Sequence, residues 1–172
     1  MTEELDNLHE EPITIRLATA EDATSLAKLR YSFRSSLDQT NEDETKFVQR
    51  CDRWMRERLR EDCGWRCWIA EQSHIPVGNV WVQLIEKIPN PVAEAECHAY
   101  LTNFYISERA RGKGVGTRML MKVLEWCETQ DVQTVILWPT QQSRTLYERQ
   151  GFSVRTDLLG LIIEEWTNRR GS

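Results

Sequence analysis

Short stretches in which apolar and polar residues alternate, separated by stretches with helical spacing, set out the predicted elements of the chain. Residues 13–17 alternate apolar and polar side chains and predict a first strand. Apolar residues at helical spacing then predict a helix that carries Ala23, Leu26 and Ala27, and a second helix over roughly residues 42–60. The preceding residues 1–11 are polar and charged, and we predict a disordered tail there.

The pattern changes to a period of two in the middle of the chain and later returns to helical spacing. Strands are predicted over residues 66–71, 77–85, 95–106, 134–138, 152–155 and 161–166, and helices over residues 112–129 and 141–150. A strand–helix–strand crossover therefore follows a group of antiparallel strands, which predicts a mixed α+β fold. No repeat or linker divides the chain, so we expect one domain over residues 12–172.

Composition and charge narrow the possible partners. Lys and Arg number 22 against 27 Asp and Glu, a net charge of −5, which argues against nucleic acid because phosphate binding needs a basic face. No apolar stretch is long enough for a membrane span and the first residues do not resemble a signal peptide, so we expect a cytoplasmic protein without a membrane partner. Cys63 and Cys67 lack the further ligands of a zinc site, which predicts reduced thiols and no metal.

A glycine-rich run, Arg111-Gly112-Lys113-Gly114-Val115-Gly116, joins a predicted strand to a predicted helix. Glycines at alternate positions let a ligand approach the backbone, and the N–H groups at a helix start favour a phosphate. Arg109 and Arg118 add positive charge nearby. The spacing fits neither a P-loop nor a dinucleotide-binding fingerprint. The run predicts an anion site, with a plain strand-to-helix turn as the alternative.

Two motifs together resemble those of the GNAT superfamily of N-acetyltransferases. The glycine run resembles the family motif Arg/Gln-x-x-Gly-x-Gly/Ala and follows a matching strand at residues 103–106. A second motif, a small residue followed by Tyr and then Gly-Phe, matches Ser143, Tyr147, Gly151 and Phe152. The resemblance implies a central, mostly antiparallel twisted sheet of six to seven strands. This sheet would be splayed between strands 4 and 5 and flanked by about four helices.

The resemblance also implies that acetyl-CoA is the donor substrate and assigns roles to residues. The donor is expected to contact Phe104, Tyr105, Ile106, Arg111, Gly112, Lys113, Gly114, Val115, Gly116, Thr117, Thr140 and Ser143. Tyr147 is the expected general acid for the departing thiolate, since a phenol is protonated at neutral pH. The attacking amine must be neutral, and the candidate bases are Glu96, His98 and Tyr100, which lie at a period of two along the fourth strand.

The acceptor pocket is expected between the first two helices, their joining loop and the loop over residues 87–93. The joining loop carries polar, mostly acidic residues that either attract a cationic amine or are solvated and cap a helix: Asp38, Asn41, Glu42, Asp43 and Glu44. Four tryptophans either line the cleft or pack in the core: Trp54, Trp65, Trp81 and Trp138.

These patterns predict an acyltransferase that moves an acetyl group from acetyl-CoA to a primary amine of a small molecule or protein. The transfer is expected to proceed by direct attack in a ternary complex, in a monomer or a homodimer. The alternatives are a CoA-binding regulatory module of the same fold without turnover and an interaction domain for acidic partners. The presence of Tyr147 and the unbroken glycine run favour the enzyme.

Overall fold

The computed structural model describes residues 11–60 and 63–170 of the chain. The strands are β1 (Thr14–Leu17), β2 (Trp65–Gln72), β3 (Ile75–Glu86), β4 (Cys97–Ile106) and β5 (Val132–Ile136). The helices are α1 (Ala23–Ser35), α2 (Glu44–Arg58), α3 (Val115–Thr129), α4 (Arg144–Glu148) and α5 (Ile163–Arg170). Short 3-10 turns at Ala20–Asp22 and Glu108–Ala110 lie on the way into α1 and α3.

The chain divides into two compact units, one that ends at Trp138 and one that begins at Pro139. The single domain predicted over residues 12–172 stays a prediction. The disordered tail predicted over residues 1–11 falls almost wholly outside the described residues.

The first unit is built on one sheet with the strand order β1-β2-β3-β4-β5. Strands β1 to β4 pair antiparallel, and β5 pairs with β4 in parallel. Helix α3 makes the crossover that two adjacent parallel strands require. The mixed α+β class and the mostly antiparallel sheet are therefore confirmed. The predicted count of six to seven strands is not confirmed, because the described residues form five strands, with five helices instead of about four.

The two strands predicted near the C-terminus are not found in the described residues. Residues 152–155 have no regular secondary structure, and residues 163–170 form helix α5. The Trp166 N–H donates to the Ile162 carbonyl at 3.2 Å, a helical bond between two apolar residues of the predicted strand. Glu164 and Glu165 lie in the first turn of α5, where the helix dipole favours acidic side chains. The helical preference of this segment overrides its apolar, strand-like composition.

One face of the sheet is covered by α1 and α2. The register places Cys67 opposite Trp81, and opposite residues of antiparallel strands share a face. Both side chains are buried in one core with Leu26 and Ala27 of α1 and Met55 of α2. This is the larger apolar cluster around which the two helices pack.

The other face of the sheet is covered by α3. Trp68 of β2 alternates with Cys67 and so points to this second face, where its ring packs edge-on against Trp126 of α3 at 5.4 Å between centroids. The side chains of Met119 and Val123 are fully buried, which places the apolar stripe of α3 in the core. The sheet is thus a layer between two sets of helices.

Three of the four tryptophans discussed above form a cluster on the α1 and α2 face. The Trp54 ring lies 5.3 Å from that of Trp65 and 5.8 Å from that of Trp81. Trp138 differs, since it is 75% exposed and its ring packs edge-on against Tyr100 at 5.2 Å. Strand β5 ends at Ile136, two positions before the predicted end, and Trp138 lies outside the strand that was predicted to bury it.

Strands β3 and β4 approach closely at Gly78. A Cβ atom at this position would lie 2.6 Å from Cδ1 of Ile106 and 2.9 Å from the main-chain oxygen of Tyr105. The Ile106 side chain can rotate away, but the Tyr105 oxygen belongs to the backbone of β4. A glycine is therefore required by the close approach of two backbones.

Gly78→Ala is expected to destabilise the protein by about 1–3 kcal/mol, because the added methyl group must push β4 away from β3. Urea unfolding followed by tryptophan fluorescence measures the change. Gly160→Ala is the control, since a Cβ there meets no atom within 4 Å, and its effect is expected to stay within about 0.5 kcal/mol. Equal unfolding midpoints for the two variants would contradict the close approach at Gly78.

The five cysteines are all free. Burial raises the pKa of the Cys67 thiol, and it raises the pKa of Cys127 to about 11, so both are protonated at neutral pH. Within residues 11–60 and 63–170, no group of three or more His, Cys, Asp or Glu side chains is placed to hold a metal ion. Over the same part of the chain, no helix combines the length and apolar character needed to cross a bilayer.

Candidate functional site

The glycine-rich run forms the turn between β4 and α3. Gly112 and Gly114 have φ angles of +74° and +71°, which residues with a Cβ rarely adopt. A Cβ built on either glycine would meet no atom within 4 Å, so both face open space. The conformation explains why glycine occurs at both positions, and the open space beside them leaves room for a ligand at the backbone.

Gly114 is the N-cap residue of α3, and as a glycine it has no side chain with which to cap this helix start. The Arg118 N–H donates to the Gly114 carbonyl at 3.1 Å and begins the helical ladder. The N–H groups of residues 115–117 precede that ladder and have no acceptor within it. Together with the positive end of the helix dipole, they form a position suited to an anion.

Three arginines around the turn attach it to the sheet through neutral acceptors. Their guanidinium groups donate to main-chain carbonyls: Arg109 to Pro76 at 3.4 Å, Arg111 to Ile106 at 3.0 Å, and Arg118 to Ile13 at 3.1 Å. A carbonyl carries no net charge, so these bonds do not cancel the positive charges. Arg111 also forms a long, exposed ion pair with Glu108 at 3.9 Å, whereas these bonds of Arg109 and Arg118 go to carbonyls alone. The arginines thus shape the turn and also keep its surroundings electropositive.

Strand β4 changes its neighbours partway along its length. Its parallel pairs with β5 end at Tyr100, whereas its pairs with β3 continue to Ile106. The β3–β4 register shifts after Asn79, and Asn103 has a φ of +48°. A register shift with one residue in the left-handed region describes a β-bulge, which bends a strand. Residues 104–106 therefore lie beyond the end of β5, and the splay between strands 4 and 5 stays a prediction.

Two asparagines and an arginine hold this bulge. Asn79 is fully buried, and its Nδ2 donates to the main-chain carbonyl of Asn103 at 2.7 Å. The Asn103 side-chain oxygen accepts from Nη1 of Arg30 on α1 at 3.0 Å. Asparagine tolerates the left-handed region better than most residues, which suits it to this position. Asn103 thereby connects β4 to β3 and to α1.

Sequence reasoning missed these three residues as members of the site. Arg30 did leave a signal, because it continues the buried stripe of Leu26 and Ala27 at helical spacing. A charged residue on the buried face of a helix indicates a polar partner inside. The asparagines left no comparable signal, because only the register of β3 against β4 brings them together.

His98 and Tyr100, two of the three candidate bases, lie on the sheet face covered by α1 and α2. Both alternate with Ala99 and continue the face of Thr102, which is opposite Trp81. The His98 Nδ1 is buried and has no hydrogen-bond partner among the described residues. The predicted common face of His98 and Tyr100 is therefore present.

Glu96, the third candidate base, precedes β4 and is exposed. Its main-chain carbonyl accepts from the Lys87 N–H at 2.8 Å. Its neighbour Glu94 forms an ion pair with Lys87 at 2.8 Å and accepts from Asn90. This acidic segment secures the loop between β3 and β4, and the assignment of a base to any of the three residues stays a prediction.

Tyr147 lies in α4 of the second unit and is 6% exposed. Its ring meets Phe152 edge-on, with 5.6 Å between centroids. Burial raises the pKa of Tyr147 to about 12, although a hydrogen bond with Ser143 works in the opposite direction. The phenol therefore keeps its proton at neutral pH, which is the state that a general acid requires.

Thr140 and Ser143 bond to each other where the chain enters α4. The Thr140 N–H donates to the Ser143 hydroxyl at 3.0 Å, and the Ser143 N–H donates to the Thr140 hydroxyl at 3.2 Å. Such reciprocal bonds fix a local turn before a helix. Their predicted contact with the donor substrate stays a prediction.

The acidic run between α1 and α2 has partners within the chain. The Asp43 side chain accepts from the Lys46 N–H at 3.1 Å and caps α2. Glu42 pairs with Arg50 at 2.6 Å, and this guanidinium lowers the pKa of Glu42. Of the two interpretations of this run, helix capping with surface ion pairs is the one that its contacts support.

Comparison with known proteins places these features in a wider group. A sequence profile of the acetyltransferase (GNAT) family matches residues 30–152 of the chain. An uncharacterised N-acetyltransferase of Methanocaldococcus jannaschii is 24% identical over 157 residues, which cover 87% of this chain and 64% of that relative. The chain therefore spans less than two thirds of the length of this relative.

Solved structures share the fold. The crystal structure of a predicted acetyltransferase with acetyl-CoA from Clostridium acetobutylicum is similar, with a TM-score of 0.73 at 22% identity, covering 90% of this chain and 98% of that one. Glucosamine-6-phosphate N-acetyltransferase from Arabidopsis thaliana has a TM-score of 0.67 at 16% identity, covering 88% of this chain and 99% of that one.

Proposed function

The chain belongs to the acetyltransferase (GNAT) family, and we propose that it transfers the acetyl group of acetyl-CoA to a primary amine of a small molecule or protein. The observation that carries the proposal is the turn before α3. Two glycines at positive φ face open space there and lead into a helix start without a side-chain cap. A pyrophosphate needs this combination of accessible N–H groups and missing Cβ atoms.

The donor substrate would be held mainly by main-chain groups. Its pyrophosphate would accept hydrogen bonds from the N–H groups of residues 115–117, within the positive surroundings of Arg109, Arg111 and Arg118. Residues 104–106 continue past the end of β5. Their backbone would pair with the pantetheine arm as an added strand pairs with a sheet edge. One N–H group of this segment would also stabilise the oxyanion that develops on the thioester carbonyl.

The transfer would proceed by direct attack. The lone pair of a neutral amine attacks the carbonyl carbon, and the new C–N bond forms as the carbonyl π electrons move to oxygen. Collapse of this intermediate breaks the C–S bond, and the nitrogen gives up one proton. Tyr147 would protonate the departing thiolate, and His98, Tyr100 or Glu96 would accept the proton from nitrogen.

The first test is whether acetyl-CoA binds. At a concentration of 100 times Kd, the ligand is expected to stabilise the folded protein by about 2.7 kcal/mol, which appears as a rise in Tm and as heat in calorimetry. Two controls test the role of the pyrophosphate. CoA without the acetyl group retains the pyrophosphate, and adenosine lacks it. No rise in Tm with acetyl-CoA would contradict the proposal.

Turnover separates the enzyme from the CoA-binding regulatory module. Release of free CoA thiol is followed with amines, polyamines, aminoglycosides, amino acids and peptides as acceptors. Binding together with turnover of at least one class supports the transferase. Binding without turnover of any class would favour the regulatory module instead.

A further inference from the structure

Arg30 presents a half-buried positive charge, and no carboxylate within residues 11–60 and 63–170 forms an ion pair with it. Among the described residues, the hydrogen-bond partner of its guanidinium is the neutral side-chain oxygen of Asn103, and no carboxylate pairs with it. Its Cζ lies 5.8 Å from the centre of the Phe33 ring, a weak contact at that distance. A guanidinium has five N–H donors, so most of its hydrogen-bonding capacity is unused by the protein.

The surroundings of Arg30 destabilise its positively charged form. Burial lowers the pKa of Arg30, and the like charge of Arg34 one turn later on α1 lowers it further. A charge taken out of water without a partner destabilises a fold unless something compensates it. An external anion would provide that compensation, and a carboxylate or phosphate would match the planar fork of arginine.

The position of Arg30 connects it to the reacting segment of β4. Its partner Asn103 is the bulge residue that directly precedes residues 104–106. Helix α1, which carries Arg30, packs on the same face of the sheet to which Tyr100 points. Tyr100 points to the α1 and α2 face of the sheet, so the guanidinium lies on the same side as the candidate bases.

We propose that Arg30 binds an anionic group, a carboxylate or a phosphate, on the acceptor amine. This rests on the proposed acetyl transfer and adds the class of acceptor. The anion occupies the N–H groups that Asn103 leaves unused, and the amine of the same molecule lies toward the residues that follow Asn103. Aromatic rings at this place, with Phe33 stacked on Tyr105 at 5.3 Å, give the remainder of the acceptor an apolar surface.

The charge distribution favours an anionic over a cationic acceptor. Two acids of the loop between α1 and α2 already have partners, since Asp43 caps α2 and Glu42 pairs with Arg50. Arg34 adds a second positive charge beside Arg30, and no carboxylate among the described residues pairs with it. The two arginines would repel the cationic groups of a polyamine. They would attract the carboxylate of an amino acid or the phosphate of a phosphorylated amine.

The test compares acceptors that differ only in the anion. Glycine is paired with glycinamide, phenylalanine with phenylalaninamide, and O-phosphoethanolamine with ethanolamine. The anionic member is expected to have the higher kcat/KM, by about 10- to 100-fold, because a hydrogen bond to a charged group is lost in the neutral one. The amides have the larger share of neutral amine at pH 7.5, so basicity works against this result. A larger ratio of kcat/KM values in the glycine and phenylalanine pairs indicates that the anion is a carboxylate. A larger ratio in the O-phosphoethanolamine pair indicates a phosphate.

Arg30→Met is expected to remove the preference within each pair, whatever its effect on the KM for acetyl-CoA, because both members of a pair are measured with the same donor. Lys28→Met is the matched control, since it removes an equal charge from an exposed position on the same helix and should keep the preference. Arg30→Lys retains the charge without the planar fork and should recover only part of it. A preference that survives in Arg30→Met would overturn the inference.

Binding is read separately from turnover, so that the inference and the proposed function can fail independently. In the presence of CoA, the anionic member of the preferred pair is expected to raise the Tm of the wild type but not that of Arg30→Met. Equal stabilisation by both members, or by neither, would overturn the assignment of Arg30. Selective stabilisation without turnover of any pair would instead contradict the acetyl transfer.

Discussion

Replacing Gly114 by glutamate is expected to lower the affinity for acetyl-CoA by at least about 100-fold, because a like charge beside the phosphates costs several kcal/mol and each 1.4 kcal/mol is tenfold in affinity. The side chain would also occupy the open space next to the N–H groups that begin α3. Calorimetric titration with acetyl-CoA measures the change. The folded state is checked by circular dichroism, since a φ of +71° is strained for any residue with a Cβ.

Gly64→Glu is the control for that strain. Gly64 has the same φ of +71°, and its nearest neighbour would be the Leu84 carbonyl oxygen at an ordinary 3.7 Å. Both variants gain one negative charge, so they are expected to lose similar stability, while acetyl-CoA affinity falls in Gly114→Glu alone. Gly114→Asn separates charge from shape, because asparagine tolerates positive φ and is neutral. Wild-type affinity in Gly114→Glu would place the donor elsewhere on the protein.

Tyr147→Phe is expected to lower kcat by about 100-fold or more, the range in which general acids act. The substitution removes one oxygen and keeps the ring that packs against Phe152. The KM for acetyl-CoA is expected to change little, because a general acid acts mainly in the transition state. Tyr31→Phe is the control, since it removes a hydroxyl that donates a long 3.4 Å bond to the Glu42 carbonyl. A wild-type kcat in Tyr147→Phe would remove the acid role.

The pH profile gives a second view of Tyr147. Burial raises the pKa of Tyr147 to about 12, so the phenol holds its proton to a higher pH than a free tyrosine. A general acid is active in its protonated form. Because Tyr147 keeps its proton up to about pH 10, we expect no fall in kcat from ionisation of Tyr147 below that pH. A fall in kcat below pH 10 that is present in the wild type and missing in Tyr147→Phe would contradict the raised pKa of Tyr147, because it would show the phenol losing its proton below that pH.

The elements that depend on local pattern could be predicted from the sequence. The helical stripe of α1 reports a buried face directly, and the glycine run reports a turn that favours glycine. Helix α2 was predicted over residues 42–60 and is observed at Glu44–Arg58. The helix begins at Glu44 because Asp43 caps it. The acidic run indicated a cap in this region but did not show which acid provides it.

The parts that depend on contacts between distant residues could not be predicted. Arg30 and Asn103 are 73 positions apart, and only the folded sheet brings them together. The bulge at Asn103 has no local signature, because it arises from the register of β3 against β4. Residues 161–166 illustrate a different difficulty. Their apolar composition suits both a strand and a helix, and the segment is too short for its periodicity to distinguish the two.

The amide of Asn103 has a consequence for how acceptor choice can evolve. Few side chains tolerate its φ of +48°, and asparagine and aspartate are among them. An aspartate there would give Arg30 a counter-ion from within the chain and would exclude an anionic acceptor. The neutral amide keeps the guanidinium available to an incoming anion. On the proposed role of Arg30, one exchange between these two residues, in the bulge and not in the wall of a pocket, would switch the charge that an acceptor must carry.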